Sequence, residues 1–375
     1  MNNHDSHKKR YIVFDIAKGI GIILVAVFHL VYRAENGVID NLIRESIWLL
    51  IPFFFAVSAC FFNPLKRNFK QNIIQRVHNL LVPSVLFTVI FLVIFGIHWG
   101  IFHDYKFSEW ISDFTATFLR PEFFAYFSDR NLNDAVVFDI NSSVWFVWVM
   151  LIADPLFYYS AEKIFSKQKN LVKLFSLCFL LVLISFALYD YNNYFSWSLL
   201  LVPFYTAVML LGTYLALSGN IEIILSTKYS YFYALIAFAV HILMFRFCGS
   251  SGAFMNELGT IGKWSVFTCF IQTFIGGYAF LTFCNLLRKV KYVSDYLAFI
   301  GRNSLYFLLM HRPFGAMCAD LMGTYVKSGN YWYVELTHEI VLKSIIAFLF
   351  SMFMCSLCSL LVNYFRLRNR RQFHV

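Results

Sequence analysis

Ten stretches of this chain each run about twenty mostly apolar residues, the length a helix needs to cross a bilayer. They lie near 11–33, 42–62, 80–102, 140–161, 171–189, 196–217, 229–247, 265–287, 296–324 and 339–365. In hydrocarbon a segment must satisfy its own backbone hydrogen bonds, so each is expected to be a helix. Composition agrees: 59% of residues are hydrophobic, 14% are charged and the mean hydropathy is +0.63. A soluble domain averages about 45–50% apolar and about 25% charged. These figures exclude a soluble enzyme, a disordered chain and a disulfide scaffold. The expected fold is all-α, a polytopic membrane protein with about ten transmembrane helices. It forms a single domain over 1–375, with no internal repeat. The first stretch holds Asp15 and Lys18 and ends in bulky residues, unlike a cleaved leader.

Charge sets the expected orientation. With the N-terminus inside, nineteen Lys and Arg fall in inside segments, clustered at 8–10, 66–76, 163–173, 288–291 and 366–371, with Lys228 between. Only eight fall outside. Basic residues collect on the cytoplasmic face, so both termini are expected to be cytoplasmic. The same bias accounts for the net charge of +10 without nucleic acid. Residues 103–139 form a long outside loop with seven acidic residues and many aromatics, and a loop of that length is usually functional. Cys178, Cys269, Cys284, Cys355 and Cys358 lie in apolar runs and read as small hydrophobes. No cluster of metal-ligand spacing is evident, so no metal is expected.

Ionisable groups inside spans are costly, and each is a functional-site hypothesis. Asp15, Lys18 and His29 fall on one face of the first span, about 60° wide at about 100° per residue. Lys18 and His29 are eleven residues apart, about 16 Å along the axis. They share a face at different depths, Lys18 inward and His29 outward. Gly19 and Gly21 flank that face and leave room for a close neighbour, helix or ligand. The plainer alternatives are a Lys18 that snorkels to the headgroups and a His29 that only bridges helices. Both leave the shared register unexplained.

The ninth span, IGRNSLYFLLMHRPF, holds Arg302, Asn303, Ser304, His311 and Arg312, and Pro313 is expected to kink or end it. Span order places His311 near the depth of His29. Its plain alternative is a structural bend. Weaker signals are Ser58, a lone hydroxyl that usually bonds back to its own helix, and Trp145, an interface anchor in the simplest reading. Asp154 precedes Pro155 and is expected to relieve the backbone there. His98, His103 and His338 fall near outer span ends and are expected to be solvated. His241 is expected to pack.

These residues together resemble the acyltransferase-3 family of integral membrane acyltransferases. FDIAKGIGIILVAVFH is similar to its first-span signature, with ten residues between a basic residue and a His. IPFFFAVSACFF resembles its Phe-rich second span. The pattern Lys66, Arg67, Arg76, Pro83 resembles its basic stretch before a third span that opens with Pro. VWFVWVMLIADPLF, VPFYTAVMLLGTYL and IGRNSLYFLLMHRPF resemble later blocks in the right order. Two departures stand out: Lys18 where many members have Arg, and Ala59 where a Gly follows the Ser.

The resemblance implies a multi-pass protein of a bacterial cell membrane. It implies O-acyl transfer, by default O-acetyl with succinyl as the alternative, from cytoplasmic acetyl-CoA to a hydroxyl of a cell-surface or lipid-linked glycan. His29 is then the catalytic base, by direct transfer or through an acyl-His. Lys18 and Arg76 bind the donor, and Asp15 fixes Lys18. His311, Ser304, Asn303, Ser58 and Trp145 shape the substrate site. The implied partners are acyl-CoA, the glycan acceptor and the bilayer, with no nucleic acid and no permanently bound cofactor. The alternative from intramembrane Asp, Lys and His is a proton-coupled transporter or flippase for a glycolipid or small solute. Against it, the halves show no paired broken spans.

Overall fold

The computed structural model of the protein describes residues 12–30, 38–62, 66–102, 106–108, 111, 145–165, 170–189, 201–219, 221, 225, 227–248, 262–323, 326–328, 331–333 and 338–372. Most of the 103–139 loop lies outside them. The described residues are almost entirely helical. In chain order they form α1 (Ile12–Leu30), α2 (Val38–Cys60), α3 (Phe69–Arg76), a π-helical turn (Val77–Leu81) and α4 (Val82–Phe102). Then follow α5 (Trp145–Phe165), α6 (Leu171–Leu188), α7 (Val202–Leu217), α8 (Ser230–Cys248) and α9 (Ser265–Leu287). The last helices are α10 (Lys291–Arg302), α11 (Ser304–Leu321) and α12 (His338–Gln372). A hairpin of two three-residue strands pairs Val326 with Tyr333 before α12.

Among the described residues, five helical runs are long and apolar enough to cross a membrane: Phe69–Phe102, Leu171–Leu188, Ser230–Phe247, Ser265–Leu287 and Leu342–Phe365. Leu49–Cys60 and Val202–Leu217 are shorter apolar helices. The chain is thus a helical multi-pass protein. Large apolar side chains point outward from α8 and α12, among them Leu235, Phe247 and Phe353. In water such an array would be a liability; beside lipid tails it carries no cost.

The interior is built on α1 and α7. Ten consecutive or near-consecutive α7 residues from Val202 to Thr213 are buried, and the Tyr205 ring stacks on Phe55 of α2 at 3.9 Å. Cys60 and Thr213 tie the two helices further: Cys60 Sγ donates to the Gly212 carbonyl at 3.4 Å, and Thr213 Oγ1 donates to that of Ala59 at 3.0 Å. Gly212 lets the backbones meet, since a methyl group there would lie 2.7 Å from the Ala56 carbonyl oxygen.

The expected 296–324 span is two helices. Asn303 interrupts it with φ −106° and ψ 18°. Its side-chain amide donates to the Phe299 carbonyl at 2.9 Å, and its Oδ1 accepts from Asn363 of α12 at 3.0 Å. Both ends of the amide therefore hold the break in place. Upstream, α10 is amphipathic and lies along α1. The contact is backbone on backbone: a methyl group on Gly19 would meet the Leu297 carbonyl, and one on Gly301 would meet the Asp15 carbonyl. Small residues at a helix crossing permit this approach. Downstream, Pro313 does not end α11, which continues to Leu321.

Candidate functional site

The first helix arranges two separate centres. In the first turns of α1, Lys18 Nζ lies 4.8 Å from the centroid of the Phe61 ring, a cation–π distance. Asp15, one turn earlier, is buried. Three residues before Phe61, Ser58 faces a different cation. Its hydroxyl accepts from Arg76 Nη2 at 2.8 Å. The end of α2 thus carries contacts to both Lys18 and Arg76. Ser58 does not bond back to its own helix in the way a lone hydroxyl usually does.

The Arg76 side chain is held from two elements, α2 and α5. The residue ends α3, directly before the π-helical turn that leads into α4. Its Nε donates to Asp154 Oδ2 at 2.5 Å, and its Nη2 reaches Asp154 Oδ1 at 3.4 Å and Met150 Sδ at 3.1 Å. Asp154 is 1% exposed and the Arg76 side chain 24%. Asp154 therefore does not serve the backbone before Pro155; it is the counter-ion of Arg76. A carboxylate buried in a span needs a cation, but nothing local in sequence marks one 78 residues away as the partner. α3 itself is fixed by a capping box between Asn68 and Gln71.

The second centre lies at the other end of α1. The His29 and His311 rings sit with centroids 5.6 Å apart and planes at 34°. Gly315 explains the approach: one turn beyond His311, its missing side chain leaves the space that Leu30 fills. His311 is fully buried. Its Nδ1 lies 3.0 Å from the Phe307 carbonyl, which can only accept, so Nδ1 carries the proton. Nε2 then presents a lone pair, and that buried atom has no hydrogen-bond partner among the described residues. A buried polar atom left unmatched is costly. Ser351 of α12 fixes the segment by donating to the His311 carbonyl at 2.6 Å.

The remaining expected positions distribute as follows. Asn303 and Ser304 belong to the helix break at the start of α11, about 10–12 Å along the axis from His311. Trp145 opens α5, and its side chain lies outside the described residues. Both glycines of the α1 face meet helices, Gly19 against α10 and Gly21 against the Phe54 ring of α2. His98 is not solvated: it is buried, with Nε2 2.8 Å from Asp320 Oδ2 on α11. The side chains of His103 and His338 lie outside the described residues. His241 is buried against Gly276.

An apolar cavity of about 510 Å³ opens beside the first centre, lined by Phe14, Cys60 and residues of α7, α8 and α9. Among the described residues, no His, Cys, Asp or Glu group is placed to hold a metal.

Two cations whose partners, Phe61 and Ser58, lie three residues apart at the end of α2, and an imidazole pair some 16 Å away along α1, suit transfer of a group from an anionic carrier to a hydroxyl. The family comparison agrees on the class of protein. An acyltransferase-domain model matches residues 11–364, nearly the whole chain. The chain belongs to the acyltransferase-3 family of membrane acyltransferases. No curated protein and no solved structure is significantly similar to it.

Proposed function

We propose that the protein is an O-acyltransferase, by default an O-acetyltransferase. It takes the acyl group from cytoplasmic acyl-CoA and places it on a hydroxyl of a cell-surface or lipid-linked glycan. The observation that carries this reading is the His29–His311 pair, with the unmatched Nε2 lone pair of His311 buried beside it. A neutral imidazole is suited to take a hydroxyl proton near pH 7. His29 is the base for the reacting hydroxyl, and His311 orients the acceptor by accepting at Nε2 a hydrogen bond from a second hydroxyl of the glycan. The acceptor oxygen forms a bond to the thioester carbonyl carbon, the C–S bond breaks, and the proton taken by His29 passes to the departing thiolate. Lys18 and Arg76 hold the donor phosphates by charge-assisted bonds. The pantetheine arm runs along the polar face of α1 from the first centre to the second.

This reading takes ten spans and cytoplasmic termini in a bacterial cell membrane, with residues 103–139 outside. The basic asymmetry supports that orientation. Membranes carrying the protein are expected to transfer label from acetyl-CoA to glycan, and membranes without it are not. No label in glycan with a competent acceptor would refute the reading. A reporter fused within 103–139 and active only in the cytoplasm would refute the orientation.

A further inference from the structure

Asp154 has no part in the chemistry above, yet it is among the most deeply buried charges described. It and Met150 stand one turn apart on α5, and both reach the Arg76 guanidinium. With Ser58 they engage Nε and Nη2, and Nη1 takes part in none of these bonds. The guanidinium is thereby fixed in plane and in direction, with one edge left for an incoming anion. A side chain this long, if loose, would lose its rotamer freedom on binding. Here that freedom is already lost. The π-helical turn after Arg76 marks the same spot, and such turns often accompany functional sites.

We propose that Asp154 is a positioning residue for donor recognition, presenting Arg76 to the phosphates of the acyl donor. The inference rests on the donor reading above. A rival role has the opposite sign. If Asp154 were only a counter-charge, it would repel phosphate, and its neutralisation would tighten donor binding. If it positions Arg76, neutralisation weakens binding.

The test compares two donors on the full-length protein: acetyl-CoA, and acetyl-pantetheine, which has the thioester arm but no phosphates. For Asp154→Asn the KM for acetyl-CoA is expected to rise about tenfold, the worth of one charge-assisted bond. Its kcat should stay within about twofold, and its KM for acetyl-pantetheine should match that of the wild type. Asp154→Glu should recover part of the loss. Ser58→Ala, which removes a gentler contact to Nη2, should raise the acetyl-CoA KM about threefold. It serves as the test should Asp154→Asn not accumulate. A fall or no change in the acetyl-CoA KM overturns the inference, as does an equal rise for both donors. A wild type that does not distinguish the two donors refutes the donor reading itself, and this inference with it. A wild type that distinguishes them, with variants that keep the distinction undiminished, refutes this inference alone.

Discussion

The two ends of α1 solve the problem of polar groups in a membrane in opposite ways. Near the Lys18 end, the cation Arg76 is matched by the buried carboxylate of Asp154, by the Ser58 hydroxyl and by Met150. At the other end, His311 has one nitrogen matched and the other without a hydrogen-bond partner among the described residues, although it is fully buried. A matched network holds a shape. An unmatched acceptor beside a second imidazole waits for a donor, and a substrate hydroxyl is one. The contrast separates the proposed labour of the molecule: one end grips the carrier, the other handles the proton.

The largest effect is expected where the scaffold under both ends is disturbed. Gly301→Ala sets a methyl group against the Asp15 backbone, where no flexible side chain can give way. Overpacking costs about 1–3 kcal/mol, and backbone on backbone falls at or above the top of that range. Protein in membranes, and its melting temperature in detergent, should drop sharply. An unchanged melting temperature would mean that α10 does not lie on α1 this closely.

Next comes the grip. Lys18→Ala should weaken acetyl-CoA binding by roughly ten- to a hundredfold, the equivalent of about 1.5–3 kcal/mol for a charge-assisted contact. Lys18→Arg should keep much of the affinity because the charge stays. Equal losses in both variants would point to packing on Phe61 rather than to phosphate. A smaller effect is expected from His311→Ala. Transfer should fall about tenfold, with donor affinity, protein level and topology kept. A variant that fails to accumulate would instead make His311 a structural residue of the α11 segment. Gly315→Ala should be the mildest, below about fivefold in transfer, because the Leu30 side chain it meets is able to move.

Much of this arrangement is legible before any coordinates. Helical spans follow from hydropathy, and the common face of Lys18 and His29 follows from the helical period. The level of His311 follows from counting spans. What the sequence hides is pairing across distance. Asp154 and Arg76 are 78 residues apart, and His98 and Asp320 are 222 apart. Each residue alone reads as a local feature, a backbone reliever or a solvated His, because periodicity carries no information about partners. The break at Asn303 is hidden for another reason. The apolar face that α10 turns to α1 runs on into α11 and imitates one long span. Its clue is the polar run Arg302-Asn303-Ser304 between apolar stretches, and the Asn363 that donates to Asn303 lies 60 residues on.

The division between the two ends is tested most directly with His29→Ala, reading transfer and donor binding on the same membranes. Labelled acetyl-CoA is expected to bind still within about threefold of wild type, since the grip about 16 Å away is untouched, while glycan acylation falls to background. Full glycan acylation by His29→Ala would contradict that division.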